Sequence, residues 1–378
     1  MKRLSILLVG LALVAPVGAR QSAQSVVPQI QNGRVETRAG TAIDREIAAV
    51  SAPASTEPVW VAWRVPMIAG DRDMCSWYSD RLGSMRGMVM DEGSVFVSDI
   101  GVMPNTRPQF KAPTGPVPLE AGTGLVVLAR VIGGRVERLR TVGDDCPMDA
   151  GGRAVYWLSG VTSAESLRFL TSLTRPAADR AMPMTMIELE RQTATTAVRA
   201  MGYHQDAGAD AALDQIAADH ADSSVRRQAA STLATNRGAH GVATLTRLLS
   251  TVKDADERRS LVTSLGQSRE ASVVGTLRTL THDADAKIRS EAAYYFVQRG
   301  GATVIPEAVK LGTSDPDDAV RRRTISSIGR LPGDAGVTAL LQLARTSDNT
   351  VVRKEAVSAL SQSKDARAIA FMEEILKK

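Results

Sequence analysis

From Ala221 onward the chain writes one outline five times: an acid or its amide, an arginine four residues later, and an apolar residue seven after that. The copies are Asp222 with Arg226 and Leu233, Asp254 with Arg258 and Leu265, Asp285 with Arg289 and Phe296, Asp317 with Arg321 and Ile328, and Asn349 with Arg353 and Leu360. Successive arginines are 32, 31, 32 and 32 residues apart. A fixed period of that length is the mark of a stacked-repeat architecture, in which each unit is one supersecondary element that cannot bury its apolar face alone. Seven residues is two helical turns, so the arginine and the apolar residue share one side of a helix.

Each acid falls where a helix N-cap belongs, and Asp or Asn there accepts from backbone N–H groups that lack a helical partner. The arginine is expected to return to that carboxylate or to reach the equivalent group of the neighbouring repeat. An exposed pair contributes only about 0–1 kcal/mol, so such a ladder sets register more than it stabilises. Ala229, Ala230, Ala292, Ala293 and Ala356 allow close helix approach. After each first helix comes a break ("NRGAH", "GQSRE", "QRGGA", "RLPGDAG", "SQSKD") and then a second apolar helix, as in "GVATLTRLLS" and "GVTALLQLA". The preceding segment "LERQTATTAVRAMGYHQDAGADAALDQIAADH" has the same length without the acid and arginine pair. It is read as an N-terminal capping repeat whose outer side faces solvent. Residues 186–378 are therefore predicted to form an all-α right-handed solenoid of about six helix pairs.

The pattern D-x-x-V-R-x-x-A-x-x-A-L, carried by "DSSVRRQAASTLA", "DAKIRSEAAYYFV" and "NTVVRKEAVSALS", resembles the short HEAT repeats also found in phycobilisome lyase proteins. The resemblance runs from about Thr185 to Lys378. It implies an α-solenoid scaffold that binds other proteins, with bilin-attaching enzymes as the minority alternative. In such arrays the second-helix row is expected to line the concave surface. Arg247, Thr279, Lys310, Gln342 and Glu374 occupy equivalent positions there, as either a solvated face or a peptide-binding groove.

The first half has a different composition, which makes the whole a two-domain α+β chain. Residues 1–19 carry Lys2 and Arg3, an apolar run from Leu4 to Val14, and small residues ending at Ala19, the layout of a secretory signal peptide. Residues 20–58 are polar and read as a loose segment. From 59 to 174 the chain reads as a small β-rich domain. "PVWVAWRVPM" alternates, with Val61, Trp63 and Val65 on one side, and "SVFVSDI" repeats the habit. Leu125–Ile132 and Arg135–Val142 flank Gly133 and Gly134 as a hairpin, which needs positive φ at its turn. "AVYWLSGV" reads as a further strand, and "TSAESLRFLTSL" as a helix capped by Thr162 or Ser163. All four tryptophans (Trp60, Trp63, Trp77 and Trp157) lie in this half and are read as core rather than as a ligand cluster. Residues 175–185, with Pro176 and Pro183, form the linker.

An exported chain with two cysteines points to a Cys75–Cys146 disulfide, which would contribute about 4 kcal/mol in the chain-entropy model. Two thiolates with no histidine before His204 do not complete a metal shell, and no metal or other cofactor is expected. The sequence contains no G-x-S-x-G, H-E-x-x-H, G-x-G-x-x-G or Walker-type loop. His204, His220, His240 and His282 are scattered through the helical part and read as surface or capping residues. His204 and His220 could meet across one helix pair. "GDDCPMDAGG", with Asp144, Asp145 and Asp149, lacks the spacing of a calcium loop and reads as a disulfide-anchored turn. Asp91 and Glu92 are a carboxylate pair for glycoside hydrolysis or, more simply, a turn before a strand.

The net charge of +5 includes Lys2, Arg3 and Arg20 at the N-terminal end and leaves the remainder near balance, which argues against nucleic acid. No later run is apolar enough to span a membrane. The expected function is an exported, periplasmic or extracellular scaffold, without catalysis, that docks a protein partner on the solenoid. An envelope hydrolase or lyase that uses the solenoid for substrate docking, and a surface adhesin working through the β-rich domain, are the alternatives.

Overall fold

Val59–Pro66, of whose eight residues five are valine or tryptophan, forms the strand on which the first half is built. The computed structural model describes residues 28–70, 74, 75, 77–80, 83–91, 122–175 and 184–377. In chain order the first half contains β1 (Ile30–Gln31), β2 (Arg34–Arg38), α1 (Ile43–Val50), β3 (Val59–Pro66), β4 (Trp77–Asp80), β5 (Gly83–Arg86), β6 (Met88–Val89), β7 (Gly124–Ile132), β8 (Arg135–Gly143), β9 (Met148–Asp149), β10 (Ala154–Leu158) and α2 (Ser163–Ser172). The main sheet has the order β2-β10-β3-β7-β8. Strands β2, β10 and β3 are parallel, and β3, β7 and β8 antiparallel.

The β7–β8 turn places Gly133 at φ 56° and Gly134 at φ 73°, the two positive values that a two-residue hairpin turn requires. Both faces of the sheet are buried. Val61, Trp63, Val65, Val127 and Ala129 face α1 and α2. Trp60, Ala62, Val126, Leu128, Val155 and Trp157 pack on Met88, Met90, Met148 and the Cys75–Cys146 disulfide. The side chain of Trp77 and the stretch "SVFVSDI" lie outside the described residues.

The segment 20–58, expected to be loose, is structured from Pro28 onward. Its charged stretch "RVETR" is the edge strand β2, held in parallel register on β10 by backbone bonds that its polar side chains do not announce. Helix α1 buries Ile43 and Ile47 in the core. Thr162 caps α2 by accepting from the Glu165 N–H.

Among the described residues the second half holds twelve helices: α3 (Met184–Met201), α4 (Gly208–Asp219), α5 (Ser223–Asn236), α6 (Gly238–Thr251), α7 (Ala255–Gln267), α8 (Val273–Leu280), α9 (Ala286–Gly300), α10 (Ile305–Ser314), α11 (Asp318–Gly329), α12 (Ala335–Thr346), α13 (Thr350–Ser361) and α14 (Ala366–Leu376). A 3₁₀ turn, Gly301–Val304, precedes α10. One apolar interior runs from the β3 face of the sheet through every helix pair to Phe371. The expected linker falls largely outside the described residues.

The first repeat is not the exposed cap that the sequence implies. Helix α3 lies against β8 and buries Ala197, Val198, Ala200 and Met201, so the sheet covers its outer side. Chain crossing strengthens the junction: Ile68 N donates to Tyr203 O at 2.9 Å and Gln205 N to Pro66 O at 3.0 Å.

Between sheet and solenoid lies a buried polar chain. Trp63 Nε1 donates to Ser166 Oγ at 2.8 Å, Ser166 Oγ meets His204 Nε2 at 2.9 Å, and His204 Nδ1 meets the Ala200 carbonyl at 3.0 Å. A carbonyl only accepts, so Nδ1 carries the proton and Nε2 accepts from Ser166. His204 is thus fully buried rather than a surface or capping residue. It does not meet His220, whose ring bonds to the Thr174 carbonyl and the Asp222 N–H.

Burial in this site drives the His204 pKa down from 6.5 to about 4, with the Arg237 charge adding to the effect and the bond to Ala200 opposing it. The unfolded chain therefore binds a proton that the folded chain refuses. Stability contributed by neutral His204 is complete above pH 6.5 and is lost as pH falls toward 4, about 3 kcal/mol in all. Urea titrations at pH 7.5 and 4.5 should show this loss in the wild type and a much smaller one in His204→Gln.

Candidate interaction surface

The four recurring acids and Asn349 cap their helices. Asp222 accepts from the Ser224 and Val225 N–H groups, Asp254 from Glu257, Asp285 from Lys287, Asp317 from Ala319 and Val320, and Asn349 from Val351 and Val352. With these carboxylates engaged at the helix start, the arginines go elsewhere. Arg226 pairs with Glu257 at 2.6 Å, Arg258 with Asp283 at 2.5 Å and Arg289 with Asp315 at 2.9 Å, each reaching the next repeat. Arg321 instead pairs with Asp318 on its own helix.

Four of the five also turn backward. Arg226, Arg289, Arg321 and Arg353 donate to the carbonyls of His220, Asp283, Asp315 and Ser347, six residues upstream, where the preceding helix ends with unpaired C=O groups. Each of these guanidiniums thereby closes the helix before it, and Arg226 and Arg289 also grip the repeat after it.

Three residues outside the expected ladder extend it. Arg191 of α3 pairs with Asp222 at 3.0 Å and so continues the ladder into the repeat that lacks the acid and arginine signature. Arg237 and Arg299 reach back one repeat to the carbonyls of His204 and Gly266, at 2.7 and 2.8 Å. Their signal in the sequence is the Arg-Gly step shared by "NRGAH" and "QRGGA".

Burial is the largest single influence on Asp222, Asp283 and Asp315, and it opposes ionisation. Their arginine partners and backbone N–H groups outweigh it, holding all three carboxyls below the ordinary value of 3.8.

The helices that begin at the caps (α5, α7, α9, α11 and α13) pack directly on one another, whereas α4, α6, α8, α10, α12 and α14 touch only sparsely along their row. In a curved stack the crowded row lies on the shorter arc. The cap-helix row is accordingly the inner one, and the positions expected to be concave belong to the splayed outer row. Arg247, Thr279, Lys310, Gln342 and Glu374 are all exposed there.

The arginines of that outer row are paired. Arg247 pairs with Asp214 at 3.7 Å, Arg278 with Glu307 at 2.9 Å and Arg345 with Glu374 at 3.4 Å. Thr279 bonds back to the Gly275 carbonyl. Lys310, with His282 and Glu307, rims a cleft of about 450 Å³.

The inner row differs. Arg227, Arg259, Arg322 and Lys354 follow the ladder arginines by one position and are exposed. Among the described residues, Arg259 alone of these four meets a carboxylate, Glu291 at 3.5 Å. Tyr294 stands between two guanidiniums, Arg323 at 4.2 Å and Arg330 at 5.8 Å from its ring centre, with Tyr295 edge-on at 4.9 Å. A groove of about 270 Å³ lined by Arg259, Lys287, Ser290, Glu291, Asp317 and Arg323 crosses α7, α9 and α11 on this side.

Elsewhere, Asp91 is taken up by Trp60 Nε1 at 3.2 Å, Arg153 at 2.9 Å and Arg130 at 3.3 Å. Glu92 lies outside the described residues. Asp149 accepts from Asn32 and from the Gly151 N–H, as a turn carboxylate does. Among the described residues no group of three or more His, Cys, Asp or Glu is placed to hold a metal ion, and no helix is long and apolar enough to cross a membrane.

These features define a helical-repeat protein with an internally paired outer row. Residues 305–378 match the family model of HEAT repeats, and the repeats there are HEAT repeats. The chain is similar to the complex of CpcE and CpcF of phycocyanin lyase from Nostoc sp. PCC7120, at 18% identity over 56% of this chain and 81% of that one, TM-score 0.29. It is similar to human deoxyhypusine hydroxylase in complex with glycerol, at 15% identity over 56% and 91%, TM-score 0.29. It is also similar to Kap121p, at 15% identity over 52% and 25%, TM-score 0.32. No curated protein matches the chain.

Arg289 and Asp315 are the most enclosed ladder pair, with side chains 13% and 3% exposed. Arg289→Met leaves a buried carboxylate unpaired and should cost about 3 kcal/mol in chemical denaturation. Arg278→Met, whose pair is on the surface, should cost no more than about 1 kcal/mol. Because the paired acids have depressed pKa values, the ladder's contribution is present above pH 3.8 and disappears as pH falls below it. Acid titration of Arg289→Met should show a smaller loss over that range than the wild type.

Proposed function

We propose that this protein is an exported scaffold that holds another protein along the inner row of its solenoid. The observation that carries this reading is the contrast between the two rows: the outer one matches each arginine with a carboxylate of the neighbouring helix, while the inner one exposes Arg227, Arg322 and Lys354 without an ion pair among the described residues, beside the half-buried Tyr294. Tyr and Arg are the residue types that dominate binding energy at protein interfaces. A stack anchored at one end to a sheet presents them on a pre-ordered surface, so little ordering cost remains at association. The Cys75–Cys146 bond supports an oxidising compartment.

A photo-crosslinking residue placed at Ser326 on the inner row, and in a second variant at Thr279 on the outer row, tests the assignment in cells. The reading predicts a discrete protein adduct from position 326 and none from 279. Adducts formed at 279 alone would move the interaction surface to the outer row.

A further inference from the structure

We propose that the inner row recognises an extended acidic protein segment, with Arg323 and Arg330 over Tyr294 and the exposed Arg322 as its main anchors; this rests on the scaffold reading above. Among the described residues Arg227, Arg322, Arg323, Arg330 and Lys354 make no ion pair with a carboxylate. Their positive charge is therefore uncompensated at short range. The carboxylates on the same side are mostly engaged: Asp317 caps α11, Asp318 pairs with Arg321, Glu291 is taken by Arg259 and Glu355 is half-buried, which leaves Asp256 exposed.

Chemistry narrows the occupant further. A guanidinium stacked on an aromatic face keeps its N–H edges free, and that fork matches a carboxylate with two parallel bonds. Arg323 over Tyr294 is such a group, restrained by the ring instead of by an acid. Spacing supplies the second constraint. Packed helices lie about 8–10 Å apart, and an extended chain advances about 3.3 Å per residue. In the polyproline II form of an extended chain, with three residues per turn and about 3.1 Å per residue, every third side chain lies on one side, so the basic positions of successive repeats fall opposite every third residue. The interleaved Asp256, Glu291 and Glu355, and a chain with 46 basic and 41 acidic residues, disfavour a continuous phosphate track.

The test uses the full chain and a labelled peptide of about fifteen residues with Glu at every third position, long enough in the polyproline II form to span the five cap helices. Controls carry Lys in place of Glu, or are a single-stranded oligonucleotide. Fluorescence anisotropy should give saturable binding of the Glu peptide, weakened by added salt, and none of the Lys peptide. Arg322→Glu with Arg323→Glu should weaken binding about tenfold or more. Tyr294→Ala, which removes the platform without changing charge, should weaken it about threefold or more.

Arg278→Glu on the outer row should leave it within about twofold. Arg227→Glu, at the far end of the row, reports independently if the double variant unfolds at a lower temperature. No saturable binding of the Glu peptide, or equal binding by the inner-row variants, overturns the proposal. Tighter binding of the oligonucleotide, lost in the same variants, overturns it by assigning the surface to nucleic acid. A crosslink at Ser326 without acidic-peptide binding defeats this inference alone, whereas loss of both defeats the scaffold reading as well.

Discussion

Every helix pair in the second half carries an apolar face that only its neighbour can cover, and the architecture follows from that requirement. Once pairs stack, a continuous interior forms, and the chain must deal with the stack's open ends. At the first end it does so with a sheet. Helix α3 rests on β8, and Trp63 and Ser166 reach His204 across the junction. The sheet and the solenoid share one interior, although their compositions differ sharply. At the other end α14 leaves Ile369 and Leu376 exposed, at 50% and 83%.

Charge is arranged around the same constraint. The arginine four residues after each cap sits where the end of one helix, the start of the next and the following repeat come together. A single planar donor can therefore satisfy carbonyls behind it and, where one is within reach, a carboxylate ahead. Such contacts add modest stability where they are exposed and more where they are enclosed, as at Arg289 and Asp315. With the interior and the ladder occupied, what remains free to vary is the outward edge of each cap helix. There the chain places basic groups and Tyr294.

Much of this was legible in the sequence. The 32-residue period, the capping acids and the Gly-Gly hairpin rest on local rules, and local rules are visible in local sequence. The rest depends on distant neighbours. "RVETR" is a strand only because β10 offers it a backbone edge. His204 is buried only because β3, α2 and α3 converge on it. The arginine pattern shows that a ladder exists but not that its partners lie one repeat ahead, since Glu257 sits three residues after its cap whereas Asp283 and Asp315 sit two before theirs. The period is likewise silent about which helix row takes the shorter arc. That is decided by how closely the Ala-rich cap helices approach one another, and it is why the expected binding row fell on the outer side.

Amide hydrogen exchange along the intact chain, followed by mass spectrometry at neutral pH, tests most directly whether the sheet closes the stack. Capping by the sheet predicts that α3 and α4 exchange as slowly as β3 and the central repeats, while α13 and α14 exchange faster. Rapid exchange of α3 and α4 beside a protected β3 would show that the sheet and the repeats fold as separate units, and would contradict the shared interior.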